Sequence, residues 1–136
     1  MLNRVVVIIL LSAFILMLFV VFLAARPIDD AYVARQYLSG LGWESSDVPI
    51  ENETVRLSGD SQPMLDYFAM LKDCGFDLQQ YEGTEVKRYT FLIKNYPSDT
   101  YVYANVLVYK GKVVGGDIMT RELDGFMKGL HKNGTS

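Results

Sequence analysis

Thr100-Tyr101-Val102-Tyr103-Ala104-Asn105-Val106-Leu107-Val108-Tyr109 sets Val102, Ala104, Val106 and Val108 on one side against Tyr101, Tyr103, Asn105, Leu107 and Tyr109 on the other. A period of two is the side-chain spacing of a strand, and β-branched and aromatic residues suit a pleated surface. Upstream, Val86 to Tyr96 has an alternating face of Tyr89, Phe91 and Ile93, and Tyr96-Pro97-Ser98-Asp99-Thr100 reads as the turn between the two strands. Lys110-Gly111 turns the chain again, into a strand from Lys112 to Ile118. Together these make a three-stranded antiparallel meander. Glu53 to Leu57, with Val55 and Leu57 on one face, is a candidate fourth strand.

Outward from the meander lie two amphipathic helices. One runs from an Asp29 or Asp30 cap to about Ser39, with Val33, Ala34, Tyr37 and Leu38 on one side and Gly40 as its left-handed terminator. The other starts at Asp60 or Ser61, takes Pro63 into its first turn, carries Met64, Leu65, Phe68 and Leu71 with Tyr67 and Met70, and closes at Gly75. Both need a surface to bury against, so the expected fold is α+β: two helices on one face of a three- to four-stranded sheet, in two layers. Helices on both faces are the topological alternative. Gly42 to Glu53 is expected to be an irregular connection anchored by Trp43, and Thr120 to Leu130 a short helix or turn. Gly42-Trp43-Glu44 and Gly75-Phe76-Asp77 stand 33 residues apart, an echo that either a duplicated helix–strand unit or two similar helix caps produce.

Val5 to Ala25 is of another kind. Its 21 residues hold one polar side chain, Ser12, and no charge. As a helix it reaches about 30 Å, the hydrocarbon thickness of a bilayer, with its backbone groups satisfied internally. The expected organisation is a short cytoplasmic N-terminus (1–4), a transmembrane helix (5–25), an α+β domain (26–130) and a frayed tail (131–136). Arg26-Pro27-Ile28 leaves the membrane, and a linker of three or four residues holds the domain near its surface. Arg4 and the α-amino group precede the span, while Arg26 is soon answered by Asp29 and Asp30. The balance favours the N-terminus in the cytoplasm and the domain outside the membrane. The competing reading is secretion after signal-peptide cleavage near Ala25.

Beyond the span, 12 Lys and Arg face 16 Asp and Glu, a formal charge of −4. That balance lacks the basic stripe of a nucleic-acid surface and the polybasic patch of a lipid-surface binder. Cys74 is the only cysteine, which excludes an intrachain disulfide, and it reads as a small core residue at a helix end.

The motifs Tyr37-Leu38-Ser39-Gly40-Leu41-Gly42-Trp43, Cys74-Gly75-Phe76-Asp77-Leu78 and Val86-Lys87-Arg88-Tyr89-Thr90 leading to Asn95-Tyr96-Pro97 carry a family resemblance. It continues through Ala104-Asn105-Val106-Leu107-Val108-Tyr109, Gly115-Gly116-Asp117 and Leu123-Asp124-Gly125-Phe126. The chain resembles short bacterial proteins, mainly from clostridia-like Gram-positive organisms, with one N-terminal span and a domain of unknown function, the family numbered 4830. The resemblance implies the architecture and supplies no catalytic residue.

The chemical inventory is sparse. His131 is the sole histidine, so neither a Cys-His nucleophile pair nor a His/Cys zinc set is expected, and no cofactor or metal is implied. Asp117, Glu122 and Asp124 near the Gly115-Gly116 corner form the one carboxylate group on which a hydrolase-like or metal-dependent envelope enzyme could be built. The glycine pair lacks phosphate-loop spacing and reads as a bulge or close backbone approach. Tyr101, Tyr103, Asn105 and Tyr109 share a strand face that either packs beneath a second helix or a neighbouring strand or is the candidate contact for a protein, peptide or glycan of the envelope. The functional expectation is a noncatalytic, membrane-anchored binding domain.

Overall fold

The computed structural model describes every residue except Leu2, Arg26, Ile28 and Ser136. The expected exit from the membrane through Arg26 and Ile28 therefore lies outside the described residues. Helix α1 (Arg4–Ala24) buries none of its side chains against the rest of the chain. Its single polar side chain is satisfied within the helix, where the Ser12 hydroxyl donates to the Ile9 carbonyl at 2.8 Å. A wholly exposed apolar cylinder of this length is consistent with membrane anchoring.

Helix α2 (Asp30–Gly40) begins where the Asp29 carboxylate accepts from the Ala31 N–H, and it buries Ala34 and Leu38. Strand β1 (Glu51–Arg56) follows, then helix α3 (Gln62–Asp73), which buries Phe68 and Leu71. A single 3-10 turn at Leu78–Tyr81 leads into β2 (Glu85–Ile93), β3 (Val102–Tyr109), β4 (Lys112–Met119) and β5 (Met127–Gly129). The strands lie in chain order, every neighbour antiparallel.

The sheet has five strands rather than three or four. Of the short helix or turn expected after Thr120, the structure has the turn, and β5 follows it as the extra strand. Thr120 closes the connection as a turn: its N–H donates to the Phe126 carbonyl at 3.0 Å and its hydroxyl accepts from the Phe126 N–H at 3.0 Å. Helix propensity there is weakened by Gly125 and Gly129, and pairing with β4 gives the backbone groups partners a marginal helix would leave to water.

The helices cover opposite faces, which corrects the two-layer expectation in favour of its alternative. On β3, Val102, Ala104, Val106 and Val108 join α2's Ala34 and Leu38, together with Trp43, Tyr89, Phe91, Ile93 and Ile118. Leu107, on the other side of the same strand, joins Phe68, Leu71, Leu78, Val86, Val114 and Leu57 beneath α3. Since β3 is apolar on both faces, one covering layer would leave Leu107 and its neighbours in water. Burial of a large aliphatic side chain contributes about 1.5–3 kcal/mol, so the second layer is strongly favoured.

Both soluble helices end in the same hydrogen-bond pattern. At α2 the Trp43 N–H donates to Leu38 O at 3.0 Å and the Gly42 N–H to Ser39 O at 2.9 Å; at α3 the Phe76 N–H reaches Leu71 O and the Gly75 N–H reaches Lys72 O, each at 3.0 Å. These are paired Schellman caps with glycine at C′, φ +86° at Gly42 and +89° at Gly75. Gly40 is thus the last helical residue and not the left-handed one. The shared caps account for the 33-residue echo in the sequence. Cys74, the residue before the second cap glycine, is exposed instead of buried in the core, because the cap turns that position outward at the helix end.

Within the tail expected to fray, His131 and Asn133 hydrogen bond to the chain just after α2. Trp43 Nε1 donates to the His131 carbonyl at 2.7 Å, and the Asn133 N–H donates to the Leu41 carbonyl at 2.8 Å. The edge of the His131 ring meets Trp43 with centroids 5.9 Å apart, and Tyr96 stacks on Trp43 at 5.7 Å.

Candidate functional site

The sequence places Arg88 on β2, Asn105 on β3 and Asp117 on β4, each on the strand face turned towards α3. Antiparallel register sets Asn105 directly opposite both Thr90 and Asp117. A line of polar groups results, running across the sheet beneath α3. The Thr90 hydroxyl donates to Asn105 Oδ1 at 2.7 Å, Asn105 Nδ2 donates to Asp117 Oδ1 at 2.9 Å, and the Tyr67 hydroxyl donates to Asp117 Oδ2 at 2.7 Å. Asp117 is only 2 % exposed. Burial pushes its carboxyl up from the ordinary range, opposed by the hydrogen bonds from Tyr67 and Asn105 and by the charge of Arg88. Tyr67 is pushed up strongly, first by burial and then by the Asp117 carboxylate.

Beside this line the N-terminal half of α3 leaves a cavity of about 380 Å³. Its walls are apolar, from Val55, Leu57, Met64, Leu107, Met119 and Met127, with Ser61 and Pro63 at the start of α3. Its polar floor is Tyr67, Arg88, Asn105 and Asp117. Arg88 pairs with Glu53, directly opposite on β1, yet its buried Nε–H has no hydrogen-bond partner among the described residues. A largely apolar cleft with a few convergent polar groups is the form of a small-ligand site.

The four residues singled out from the β3 face do not act together as one exposed surface. Tyr101 is exposed, at 74 %. Tyr103 is half-buried, with the Arg121 guanidinium 4.3 Å above its ring, and Arg121 in turn donates to Glu51 at 2.6 Å. Asn105 is buried in the polar line, and Tyr109 meets the Tyr81 ring edge-on at 5.5 Å. Tyr103, Asn105 and Tyr109 alternate along β3 and Tyr101 lies just before it, but α3 covers the Asn105–Tyr109 end, and the strand pattern held no sign of which end a helix would cover. Arg88, Tyr67 and the three methionines were missed as site residues, since their convergence depends on α3 crossing the sheet at a distance in sequence.

The carboxylate group behind the enzyme alternative is dispersed: Asp117 is buried, whereas Glu122 and Asp124 sit exposed in the β4–β5 turn. Among the described residues no three His, Cys, Asp or Glu side chains gather as metal ligands. The Gly115-Gly116 pair is a packing device. β3 and β4 shift register between Leu107 and Val108, and a β-carbon on Gly116 would stand 2.5 Å from the Asn105 carbonyl oxygen.

Fold and site define an α+β domain, preceded by one long apolar helix, in which a meander is clad by a helix on each face and a pocket opens under one of them. The family described as Domain of unknown function (DUF4830) matches residues 37–118, and the chain belongs to that family. The matched stretch runs from α2 to β4 and so contains the polar line. No curated protein and no solved structure matches the chain.

Proposed function

We propose that this protein is a membrane-anchored, noncatalytic binding domain of the bacterial cell envelope, held by α1 with its N-terminus inside and its α+β domain outside. Its ligand site is the pocket beneath α3. The observation that carries this reading is an apolar cavity of about 380 Å³ floored by the polar side chains of Tyr67, Arg88, Asn105 and Asp117.

A role in binding is favoured over catalysis because both Asp117 oxygens already accept hydrogen bonds from fixed side chains. Such a carboxylate is held as part of the floor. Tyr101 and Tyr103 remain the proposed outer contact for a larger envelope partner, protein or glycan, on the same sheet face.

Substituting Met127→Trp tests the reading, because Met127 is 49 % exposed at the pocket rim and a bulky ring there fills the cavity while sparing the core. Capture of a domain-dependent partner from crosslinked membranes, scored against an α1-only control, should be lost in the variant with its thermal melt unchanged. Equal capture by variant and wild type would exclude the pocket as the site.

A further inference from the structure

We propose that the pocket beneath α3 takes a single unbranched acyl chain of an envelope lipid, laid slantwise across the sheet. The inference rests on the reading of this pocket as the ligand site. Its shape, the state of its floor and the position of the domain each point to that occupant.

The shape follows from strand register. The cavity is lined from every strand in turn, by Val55 on β1, Arg88 on β2, Asn105 on β3, Met119 on β4 and Met127 on β5. Val55 stands level with Val86, two residues from Arg88 along β2, and Arg88 stands level with Leu107, two residues from Asn105 along β3. Asn105 is level with Asp117, two residues from Met119, and Met119 is level with Met127. Each step moves the same way along the sheet, so the cavity is a slanting groove. Met64 and Tyr67, three residues apart and thus on one side of α3, form its helical wall.

From β1 to β5 the groove crosses four strand spacings, about 19 Å. Spread over that length, a volume of about 380 Å³ leaves a mean cross-section of about 20 Å². A single file of methylenes fits a channel of that width, since carbons pack at about 4 Å from their neighbours. A file of aromatic rings, or an extended peptide with its side chains, needs more.

The floor asks nothing of such a chain. Tyr67 and Asn105 both donate to Asp117, Thr90 donates to Asn105, and Arg88 pairs with Glu53. These polar groups are engaged with one another, and what the groove offers a ligand is apolar contact with Val55, Met64, Met119 and Met127. Methionine, flexible and polarizable, follows a chain that has several conformations.

The position supplies the source. Helix α1 ends at Ala24 and α2 begins at Asp30. The five residues between them reach at most about 18 Å when extended. With α1 in a bilayer, the domain is held at a surface built of acyl chains.

The test uses the full chain in its own membrane. Cells are fed a fatty acid carrying a mid-chain diazirine and a terminal alkyne, which enters their lipids; after illumination, adducts are located by peptide mass spectrometry. Adducts on α1 are the internal control. Further adducts are expected on the peptides carrying Met64, Met119 and Met127, and none at Tyr101, which is exposed but lies outside the groove. Relative to α1, adducts at Met64 and Met119 should fall severalfold in Met127→Trp. The wild-type map decides the matter without any variant.

Adducts confined to α1, with partner capture still lost in Met127→Trp, would replace the acyl chain by an apolar group of a protein partner and keep the pocket as the site. Adducts confined to α1 with capture unchanged would overturn both. Domain adducts spread over Tyr101 and other exposed positions, and equal in the variant, would show a domain grazing the bilayer and would overturn the groove as the place of binding.

Discussion

At the scale of single residues, the polar line beneath α3 ties stability to pH. Tyr67 keeps its proton in the folded state because burial and the Asp117 carboxylate oppose ionisation. An unfolded tyrosine releases its proton near pH 10, so the folded state binds more protons there and stability falls as pH rises above about 10. Burial acts in the same direction on Tyr89 and Tyr37. Tyr67→Phe should therefore flatten, without abolishing, the alkaline loss of stability in denaturant titrations between pH 9 and 11. A variant as steep as wild type would show that Tyr67 titrates freely. For Asp117 the net push is also upward. Its contribution to stability is present at acid pH and lost as pH rises through the raised value, and Asp117→Asn should remove that slope.

The glycine pair gives a contrast between neighbours. A β-carbon at Gly115 meets Leu71 at 3.0 Å and Leu78 at 3.1 Å, side chains that can shift, whereas at Gly116 it meets backbone oxygen at 2.5 Å. Gly116→Ala should thus cost more than Gly115→Ala, by about 1–3 kcal/mol in chemical denaturation, the usual range for overpacking. Equal costs would mean that β3 and β4 can part there easily. The close approach was legible in the sequence, because glycines without phosphate-loop spacing in a strand have few other uses. The Tyr67–Asp117 bond was not, since its partners lie 50 residues apart and nothing local marks them.

At the scale of elements, the paired helix caps are the part most plainly written in the sequence. Leu38 to Trp43 and Leu71 to Phe76 repeat leucine, glycine and an aromatic at matching positions, and both fold into the same terminator. Sequence pattern misplaced the first left-handed residue at Gly40 because two glycines stand two apart, and only the cap hydrogen bonds choose between them. A β-carbon on Gly75 has nothing within 4 Å, so Gly75→Ala isolates the cost of the left-handed backbone. That cost should be about 1–2 kcal/mol in the thermal or denaturant midpoint, as expected for an L-residue held in that region. No measurable change would mean that α3 ends differently.

Strand β5 was hidden for a physical reason. Three residues are too few to show alternation, and their strand state comes from pairing with β4. Tyr101→Ser combined with Tyr103→Ser should leave the melt nearly unchanged, because Tyr101 is exposed and Tyr103 packs chiefly against the Arg121 guanidinium. Loss of partner capture in that folded variant would extend the binding surface from the pocket to the outer sheet.

At the scale of the whole molecule, the layering follows from an apolar β3 that needs cover on both faces, and the α2 and α3 stripes supply it. The sequence shows two amphipathic helices and a two-faced strand; it does not show which helix goes to which face, because that depends on connections wrapping around the sheet. Helix α1 stands apart from this core, with every described side chain exposed. The proposed role requires it to hold the domain outside the membrane. Cys74 allows a direct test, being both exposed and the sole cysteine. A membrane-impermeant maleimide applied to intact cells should label the full-length protein in the membrane fraction, and Cys74→Ser should abolish the signal. Labelling only after the membrane is permeabilised would place the domain inside, and a labelled chain in the medium beginning near Arg26 would show release in place of anchoring; either result contradicts an anchored domain that binds outside the cell.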